Sequence, residues 1–386
     1  MNRRFVAYLF AAATADSGFW IAQVAQGWLV VKLTDSPVWL GLVSAATQVP
    51  FLLFSLLGGE LADRFNRRRV IAITGFVTVA LAAATGIFVA AESIPIWLLT
   101  ILGFLLGTCN AIAHPVDRAW VVDLVGRAHI VRAISLSSLE WASARTIGPA
   151  IGGVAIATVG IAVCYGAYAL CVLPLIALAI IVRTTNTSSE FGTEHDRAPG
   201  ALRSIVVFSA FTAAFTIGVL PYVALLPDVA KNTFGQNAAG YGAMEAAGGA
   251  GAIAAAIVLS WRGVNVHKGR FAIAAALIGA LLLIAFAHTH SVLVASVLLA
   301  AMGAVDTTMY ALTNTYVQAI AGDRRRGRAN AIFALAFMGG IPVGNASLGL
   351  LAGHFGTQPT LGWSATIVAA LAVLFWFAAP AARDAA

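Results

Sequence analysis

Five charged side chains interrupt long apolar stretches of the sequence: Asp16, Glu140, Arg145, Glu245 and Asp306. A charge in apolar surroundings is costly and usually functional. Burial favours the neutral form of a carboxyl group, so an acid in such a place can bind and release a proton. We therefore take Asp16, Asp306, Glu140 and Glu245 as candidate proton-carrying residues. The alternative, which the sequence leaves open, is an acid that is permanently hydrogen-bonded and fixes helix packing.

Aromatic and amide side chains follow two of these acids at helical spacing: Trp20 and Gln23 follow Asp16, and Tyr310 and Asn314 follow Asp306. Residues at these spacings share one face of a helix, so each acid would lie beside groups that can contact a ligand. Three further aromatic residues could stack on an organic molecule, although such side chains more often serve as packing: Phe211, Phe215 and Tyr222.

Two pairs of polar residues lie close together in the sequence. Glu140 and Arg145 are five positions apart, so they do not face each other on a helix. Arg145 is therefore expected to find an acid or backbone carbonyls on another helix. His114 and Asp117 are three positions apart and could form a local pair, but no further ligand supports a metal site there.

The composition indicates which elements must position these residues. The 386 residues are 60% hydrophobic and 10% charged, whereas a soluble domain has about 25% charged residues. Apolar stretches of about 20 residues, the length that crosses a bilayer as a helix, recur along nearly the whole chain. They are too long and too continuously apolar for the strands of a β-barrel. The sequence thus predicts an all-α membrane protein.

Several other classes of protein and site fit the sequence poorly. The net charge of +7 does not require nucleic acid, because positive charge collects in the cytoplasmic loops of membrane proteins. The three cysteines lie in apolar stretches at no metal or disulfide spacing: Cys109, Cys164 and Cys171. There is no Walker motif and no constellation of nucleophile and base within one span. We therefore predict no cofactor, no metal site and no enzymatic activity.

Twelve membrane spans account for the apolar stretches. They are predicted at 5–31, 38–60, 69–91, 95–118, 132–157, 160–182, 203–228, 240–261, 270–288, 292–318, 328–354 and 359–380. On this assignment twenty of the 23 Lys and Arg residues fall on one face, Lys32 and Lys231 fall on the other, and Arg145 lies within a span. This bias predicts that both termini are cytoplasmic, in an inner (plasma) membrane of bacterial type.

The sequence divides near its midpoint. A polar segment, 183–202, predicts a flexible cytoplasmic linker between an N-terminal half, 1–182, and a C-terminal half, 203–386. With a shift of 196 residues, 132–160 lies over 328–356 without a gap, and three glycines coincide: Gly148 with Gly344, Gly153 with Gly349, and Gly160 with Gly356. Two parallel six-helix halves are the architecture of a transporter that rocks about a site at the midplane.

A charged segment between the second and third spans carries a family resemblance. Residues 59–68, GELADRFNRR, resemble the signature of the major facilitator superfamily, with Asn66 where glycine is usual. Because asparagine tolerates a left-handed turn, this departure is expected to be mild. The resemblance implies that Asp63 latches the cytoplasmic side shut by contacting the neighbouring half. The other members of this predicted gating motif are Gly59, Arg64, Arg67 and Arg68.

Further stretches narrow the resemblance to one branch. Residues 144–153, ARTIGPAIGG, look like the motif that marks drug:proton antiporters; its members here are Arg145, Gly148, Pro149, Gly152 and Gly153. Segments 110–125 and 313–332 are similar to those of a branch that includes macrolide efflux pumps and the enterobactin exporter. The resemblance implies that spans 1, 4, 7 and 10 line a central cavity, with Asp16 and Asp306 at the depth where substrate binds.

These observations predict a proton-driven exporter of hydrophobic or amphiphilic small molecules, such as drugs or siderophores, that works by alternating access. Its partners would be the substrate, protons and the lipid bilayer, with no nucleic acid, and one chain is sufficient for the mechanism. The alternative on the same fold is an uptake symporter for a small polar nutrient, which would need more charges matched to its substrate. A non-transporting scaffold is a third class, but it has no use for acids inside the membrane.

Overall fold

The computed structural model describes residues 3–126, 129–182, 201–262 and 268–378. These residues form twelve α-helices, one π-helical turn and no β-strand, which confirms the prediction of an all-α protein. The helices are α1 (Arg3–Thr34), α2 (Pro37–Arg64), α3 (Arg67–Ala90), α4 (Ile96–Val125), α5 (Ile130–Thr158), α6 (Ile161–Ile181), α7 (Ala201–Gly218), α8 (Tyr222–Asp228), α9 (Ala238–Arg262), α10 (Lys268–His288), α11 (Val292–Phe355) and α12 (Thr357–Ala378).

Most predicted spans correspond to one helix each, with two exceptions. Span 7 is divided into α7, α8 and a π-helical turn at Val229–Thr233; Pro221, which lacks a backbone N–H, stands directly before α8. Spans 10 and 11 both fall within α11, whose 64 residues are assigned as helix throughout. The chain nevertheless turns back between the two spans, because Tyr310 of the first packs against Phe337 of the second with ring centroids 5.0 Å apart, whereas 27 residues of straight helix would separate them by about 40 Å.

Eleven segments of the described chain are long and apolar enough to cross a membrane. Helix α5 is not among them, although its 29 residues are sufficient in length. It contains Glu140, Arg145 and several serines, which lower its apolar character. The long helix that is absent from these segments is therefore the one that carries two of the five charged residues.

The turn between α2 and α3 corrects one expectation. Asn66 has φ −68° and ψ 109°, so it does not adopt the left-handed conformation predicted for it. Its side-chain oxygen instead accepts a hydrogen bond from the backbone N–H of Arg68 at 3.2 Å. Asn66 is the N-cap of α3, a position that asparagine favours because its side chain satisfies a free helix N–H.

A buried ion pair ties this turn to the end of α4. The Nη1 atom of Arg67 lies 2.7 Å from Oδ1 of Asp123, and the two side chains are 6% and 0% exposed. The Nε atom of Arg67 also donates to the carbonyl oxygen of Ala62 at 3.0 Å. Arg67 therefore fixes the positions of α2, α3 and α4 relative to one another.

The helices form two compact units. The first contains residues 1–35, 46–189 and 235–249, and the second contains 36–45, 190–234 and 250–386. The first unit thus includes the start of α9, and the second includes the start of α2. The predicted linker at 183–202 lies outside the described residues except for its last two positions, so the division into halves at that segment stays a prediction.

Paired glycines hold helices together inside each unit. In the first unit a Cβ atom on Gly153 of α5 would lie 2.9 Å from the Cα of Gly242 in α9. In the second, a Cβ on Gly349 of α11 would lie 2.7 Å from the Cα of Gly41 in α2. Only glycine permits backbones to approach this closely, as at other small-residue interfaces between membrane helices. Gly153 and Gly349 are equivalent in the sequence repeat.

The other repeated glycines also have matching roles. Gly148 packs against Trp20 of α1, and Gly344 packs against Ile217 of α7. Gly160 and Gly356 stand at the ends of α5 and α11 with φ of 109° and 87°, a conformation that side chains disfavour. The three coincidences in the sequence thus correspond to two equivalent packing positions and one equivalent turn, as an internal repeat requires.

We predict that Gly153→Ala lowers the thermal unfolding midpoint of the detergent-purified protein by several degrees. The added methyl group would lie 2.7 Å from the carbonyl oxygen of Ala238, and overpacking of this kind costs about 1–3 kcal/mol. Gly166→Ala in α6 is the matched control, because a Cβ there has no atom within 4 Å. It should leave the midpoint unchanged or raise it slightly, and equal effects of the two variants would contradict this account of the interface.

A second prediction concerns the buried ion pair. Arg67→Ala leaves the Asp123 charge buried without its partner, which costs about 3–5 kcal/mol. The control is Glu60→Gln, which breaks the Glu60–Arg64 pair of 2.8 Å, whose side chains are 50% and 72% exposed. Exposed pairs contribute at most about 1 kcal/mol, so this variant should unfold close to the wild-type midpoint. A similar drop in both would show that Arg67 is not a structural anchor.

Candidate functional site

A cavity of about 230 Å³ opens in the first unit. Its walls come from α1, α3, α4, α5 and α6, with Phe51 from α2. Side chains from helices 1 and 5 carry two of the predicted acids, Asp16 and Glu140, to this cavity. The pocket of the first unit therefore contains two of the four predicted acids, and its lining comes from α1 to α6, without spans 7 and 10 or Asp306.

Close packing of α1 against α5 brings the two acids together. A Cβ atom on Gly148 would lie 2.6 Å from Cβ of Trp20, and one on Gly152 would lie 3.2 Å from Cα of Ile21. Before these contacts in each helix stand Asp16 and Glu140, which both line the cavity and whose carboxyl groups are close enough to interact. A hydrogen bond between two carboxyl groups would require a proton on one of them.

A third acid lies in the same cavity. The hydroxyl of Tyr8 donates a hydrogen bond to Oδ2 of Asp117, and Arg118 follows directly on the cavity wall. His114 does not pair with Asp117 as their spacing had suggested. Its ring instead packs edge-on against Trp141, with ring centroids 6.3 Å apart.

Aromatic rings form one wall of the cavity. Phe19 is stacked on Trp141 with centroids 6.1 Å apart, and Tyr168 packs against the edge of Phe19 at 6.4 Å. Trp20 lies in contact with this wall, 5.7 Å from Trp141. Sequence analysis did not identify Phe19, Trp141 or Tyr168. Two signals were present, because Trp141 directly follows Glu140 and Phe19 lies three residues after Asp16, on the same helix face.

Arg145 and Glu245 belong to a separate cluster where α5 meets α9. The guanidinium of Arg145 lies over the ring of Trp20, 5.6 Å from its centroid, and within electrostatic range of the Glu245 carboxyl group. Glu245 also hydrogen-bonds Tyr241, whose ring is stacked on Trp28 at 6.1 Å. The contact that Arg145 makes on another helix is thus with the ring of Trp20 in α1. Glu245 is placed away from the cavity, in a position that holds α9 against the first unit.

The antiporter-like motif serves as a packing surface. Gly148 and Gly152 face α1, whereas Gly153 faces α9. Pro149 is buried in α5 between these contacts. Gln23, on the next turn of α1 after Trp20, is half-buried and is not among the residues that line the cavity.

The second unit holds the other predicted acid. Asp306 is 6% exposed, and its Oδ2 accepts a hydrogen bond of 3.1 Å from the hydroxyl of Tyr222. This contact joins the first half of α11 to α8. Tyr310, one turn after Asp306, is 39% exposed and packs against Phe337 with centroids 5.0 Å apart. Asn314 is half-buried.

Two aromatic residues proposed as substrate contacts belong to the core of this unit. Phe211 is 5% exposed and stacks on Phe375 of α12 at 4.6 Å. Phe215 is fully buried, with its ring against Gly279 of α10. The rings of both residues fill space between packed helices.

The segment with the gating motif has an anchored side and an exposed side. Arg67 pairs with Asp123, and Nη1 of Arg68 donates to the carbonyl oxygen of Val182 at 3.0 Å. Asp63 and Arg64 are exposed, and Gly59 has open space around its Cα. The described residues contain no group of three His, Cys, Asp or Glu side chains that could hold a metal ion.

Known proteins resemble the chain in sequence and in fold. The staphyloferrin A transporter of Staphylococcus aureus (strain NCTC 8325 / PS 47) is 26% identical over 380 residues, which cover 93% of this chain and 92% of that protein. The multidrug efflux pump Tap of Mycolicibacterium fortuitum is 29% identical over 157 residues, or 39% of this chain and 38% of Tap. The crystal structure of a D-xylose–proton symporter has a TM-score of 0.78 at 13% identity and covers 98% of each chain.

These likenesses agree with the fold and with the resemblance of residues 59–68 to the major facilitator signature. The structural match, at its low identity, shows the fold, and the relatives in sequence are membrane transporters. The family model described as transmembrane secretion effector matches residues 2–386. The chain therefore belongs to this family of major facilitator transporters, and it is a multi-pass membrane protein.

Proposed function

We propose that this transporter exports hydrophobic or amphiphilic small molecules in exchange for protons. The observation that carries the proposal is the Asp16–Glu140 carboxyl pair on the wall of a cavity that is also lined by Phe19 and Trp141. One site thus combines groups that can hold a proton with rings that can contact an apolar ligand.

The carboxyl pair suits a coupling role because it can change its charge. Two carboxylates in contact repel each other, so the pair retains one proton while the cavity lacks a compensating ligand. Entry of substrate, or exposure of the cavity to a less acidic compartment, would release that proton. The protonation of such a pair belongs to the two residues together, so we assign the coupling to the pair and not to one member.

The name of one relative favours export as the direction. Tap is a multidrug efflux pump by its name, and the segment it matches supports the same direction here. The antiporter-like motif of α5 supports exchange by resemblance. We place the cycle in an inner (plasma) membrane with both termini cytoplasmic, since the positive charge of the loops is concentrated on that face.

Three acids outside the cavity have other roles in the proposed transport cycle. Asp306, held by Tyr222, is a second candidate for proton binding. Glu245 is better suited to holding α9 through Tyr241 and Arg145 than to carrying a proton. Asp63 is the acid of the gating motif that remains on the surface, so it is the group we propose as the latch between the halves during transport.

We predict that acidified inside-out membrane vesicles lose protons when a transported compound is added. The panel would include macrolides, tetracyclines, cationic dyes and a catecholate siderophore, with a pH-reporting dye as readout. Asp16→Asn and Glu140→Gln should each reduce substrate-dependent proton release to the background of vesicles that lack the transporter, because an amide cannot take up the proton.

Glu92→Gln is the matched control for these vesicles, since Glu92 is an exposed acid outside the cavity and should leave the release unchanged. Equal membrane levels of all variants must be verified by immunoblotting. Proton release that persists in both cavity variants would refute the coupling role of the pair. Uptake of a polar nutrient together with protons in whole cells would replace export by symport.

A further inference from the structure

We propose that the cavity of the first unit is a binding site for an amphiphilic organic cation, whose charged head contacts the Asp16–Glu140 pair and whose apolar ring lies against Trp141 and Phe19. This inference rests on the proposed export function and names its substrate class. It is drawn from the charge, the free acceptors and the aromatic wall of the cavity, one step at a time.

Acidic groups outnumber basic groups on the wall of the cavity. Three acids line it, Asp16, Asp117 and Glu140, against the single guanidinium of Arg118 among its described lining residues. Arg118 is adjacent in sequence to Asp117, and its charge acts on that acid and on Asp16. Even with one proton shared between Asp16 and Glu140, the cavity retains no excess of positive charge that could favour an anion.

Two buried acceptors on α5 have no hydrogen-bond partner in the described part of the chain. They are Oε1 of Glu140 and, one turn earlier, Oγ of Ser137, and both residues line the cavity. A buried polar atom without a partner is costly, so such atoms in a pocket are natural contacts for a ligand. An alkylammonium or a protonated amine supplies the charge or the donor that these two oxygens lack.

The aromatic wall suits the same ligand. Trp141 is 37% exposed, directly follows Glu140 and is stacked on Phe19. The face of an indole ring attracts a cation within about 6 Å, more strongly when water is excluded. The neighbouring Trp20, which is not among the cavity lining residues, already has such a cation, because the guanidinium carbon of Arg145 lies 5.6 Å from its ring centroid. Trp141 has no such internal cation in the described structure.

The size of the cavity limits the ligand. Its volume of about 230 Å³ is below the roughly 300–1,000 Å³ of typical drug-binding pockets. A single aromatic ring with a compact cationic head is therefore the appropriate probe for the site, and larger cations would have to extend beyond it.

The test compares phenyltrimethylammonium with benzenesulfonate, which share one ring and a tetrahedral head but carry opposite charges. Binding to the detergent-purified protein is measured by isothermal titration calorimetry. We expect the ammonium to bind at least about tenfold more tightly, the ratio that corresponds to about 1.4 kcal/mol. Equal binding, or tighter binding of the sulfonate, would overturn the proposal and would assign the dominant charge to Arg118.

Variants of the acids and of Trp141 measure the contributions of charge and of the aromatic ring to binding separately. Glu140→Gln and Asp16→Asn should remove the preference for the ammonium, whereas Glu92→Gln should keep it. Trp141→Ala should weaken binding of the ammonium, and Trp141→Phe should restore most of it, because a ring face is retained. Thermal unfolding midpoints establish that each variant is folded before titration. If both cavity acids can be replaced without loss of the preference, the proposal is wrong.

Protons should compete with the cation for the same acids. The ionisable and charged groups that face the pair are Tyr8 from α1, His114, Asp117 and Arg118 from α4, and Tyr168 from α6. As pH falls, protonation of the acids removes negative charge, so the affinity for phenyltrimethylammonium should decrease while that for benzenesulfonate does not. An affinity for the ammonium that is constant between pH 8 and pH 5 would contradict binding at the pair.

The calorimetric titration tests the cation site and the vesicle assay tests proton-coupled export, so each proposal can be refuted without the other. If neither probe binds but the protein still exchanges a neutral or anionic compound for protons, the cation site is refuted and proton-coupled export remains. Binding of the ammonium by a protein that releases no protons with any compound would instead retain the cation site and overturn the proposed exchange.

Discussion

The hydrocarbon layer of a membrane offers no water to a charge, and the whole arrangement of this protein depends on that constraint. Each ionisable side chain inside a helix must find a partner within the protein or face a cavity. Arg67 pairs with Asp123, Arg145 lies over the ring of Trp20, and Asp306 accepts a hydrogen bond from Tyr222. Asp117 in the cavity accepts a hydrogen bond from Tyr8, whereas Asp16 and Glu140 lie beside each other on the cavity wall.

Glycine determines where those partners can meet. Helices that lack large side chains at their contact can approach until their backbones touch, and the position of each glycine then fixes the register between the helices. Gly148 and Gly152 align α1 with α5, and this register brings Asp16 to Glu140. The antiporter-like motif therefore acts on the site through packing, since its residues support the acids without lining the cavity.

The repeat explains why the two units have related interfaces but different chemistry. Gly153 and Gly349 make equivalent backbone contacts, so both units are assembled by the same packing rule. Their polar residues differ, since the first unit carries an acid pair with an open aromatic wall and the second a single acid, Asp306, capped by a tyrosine. The two units thus share their glycine contacts and differ in their buried polar residues.

The sequence alone determined the all-α membrane fold and the family, because hydropathy and short motifs are local features of the chain. It could not decide which helix faces meet. The tertiary structure brings Asp16 and Glu140, from helices far apart in sequence, to one cavity. It buries Phe211 and Phe215 in a core and places Arg145 over the ring of Trp20. It also made Asn66 a helix cap where a left-handed turn was expected. Each of these outcomes depends on the rotation and register of packed helices, which arise from contacts between distant segments and leave no local periodicity to detect.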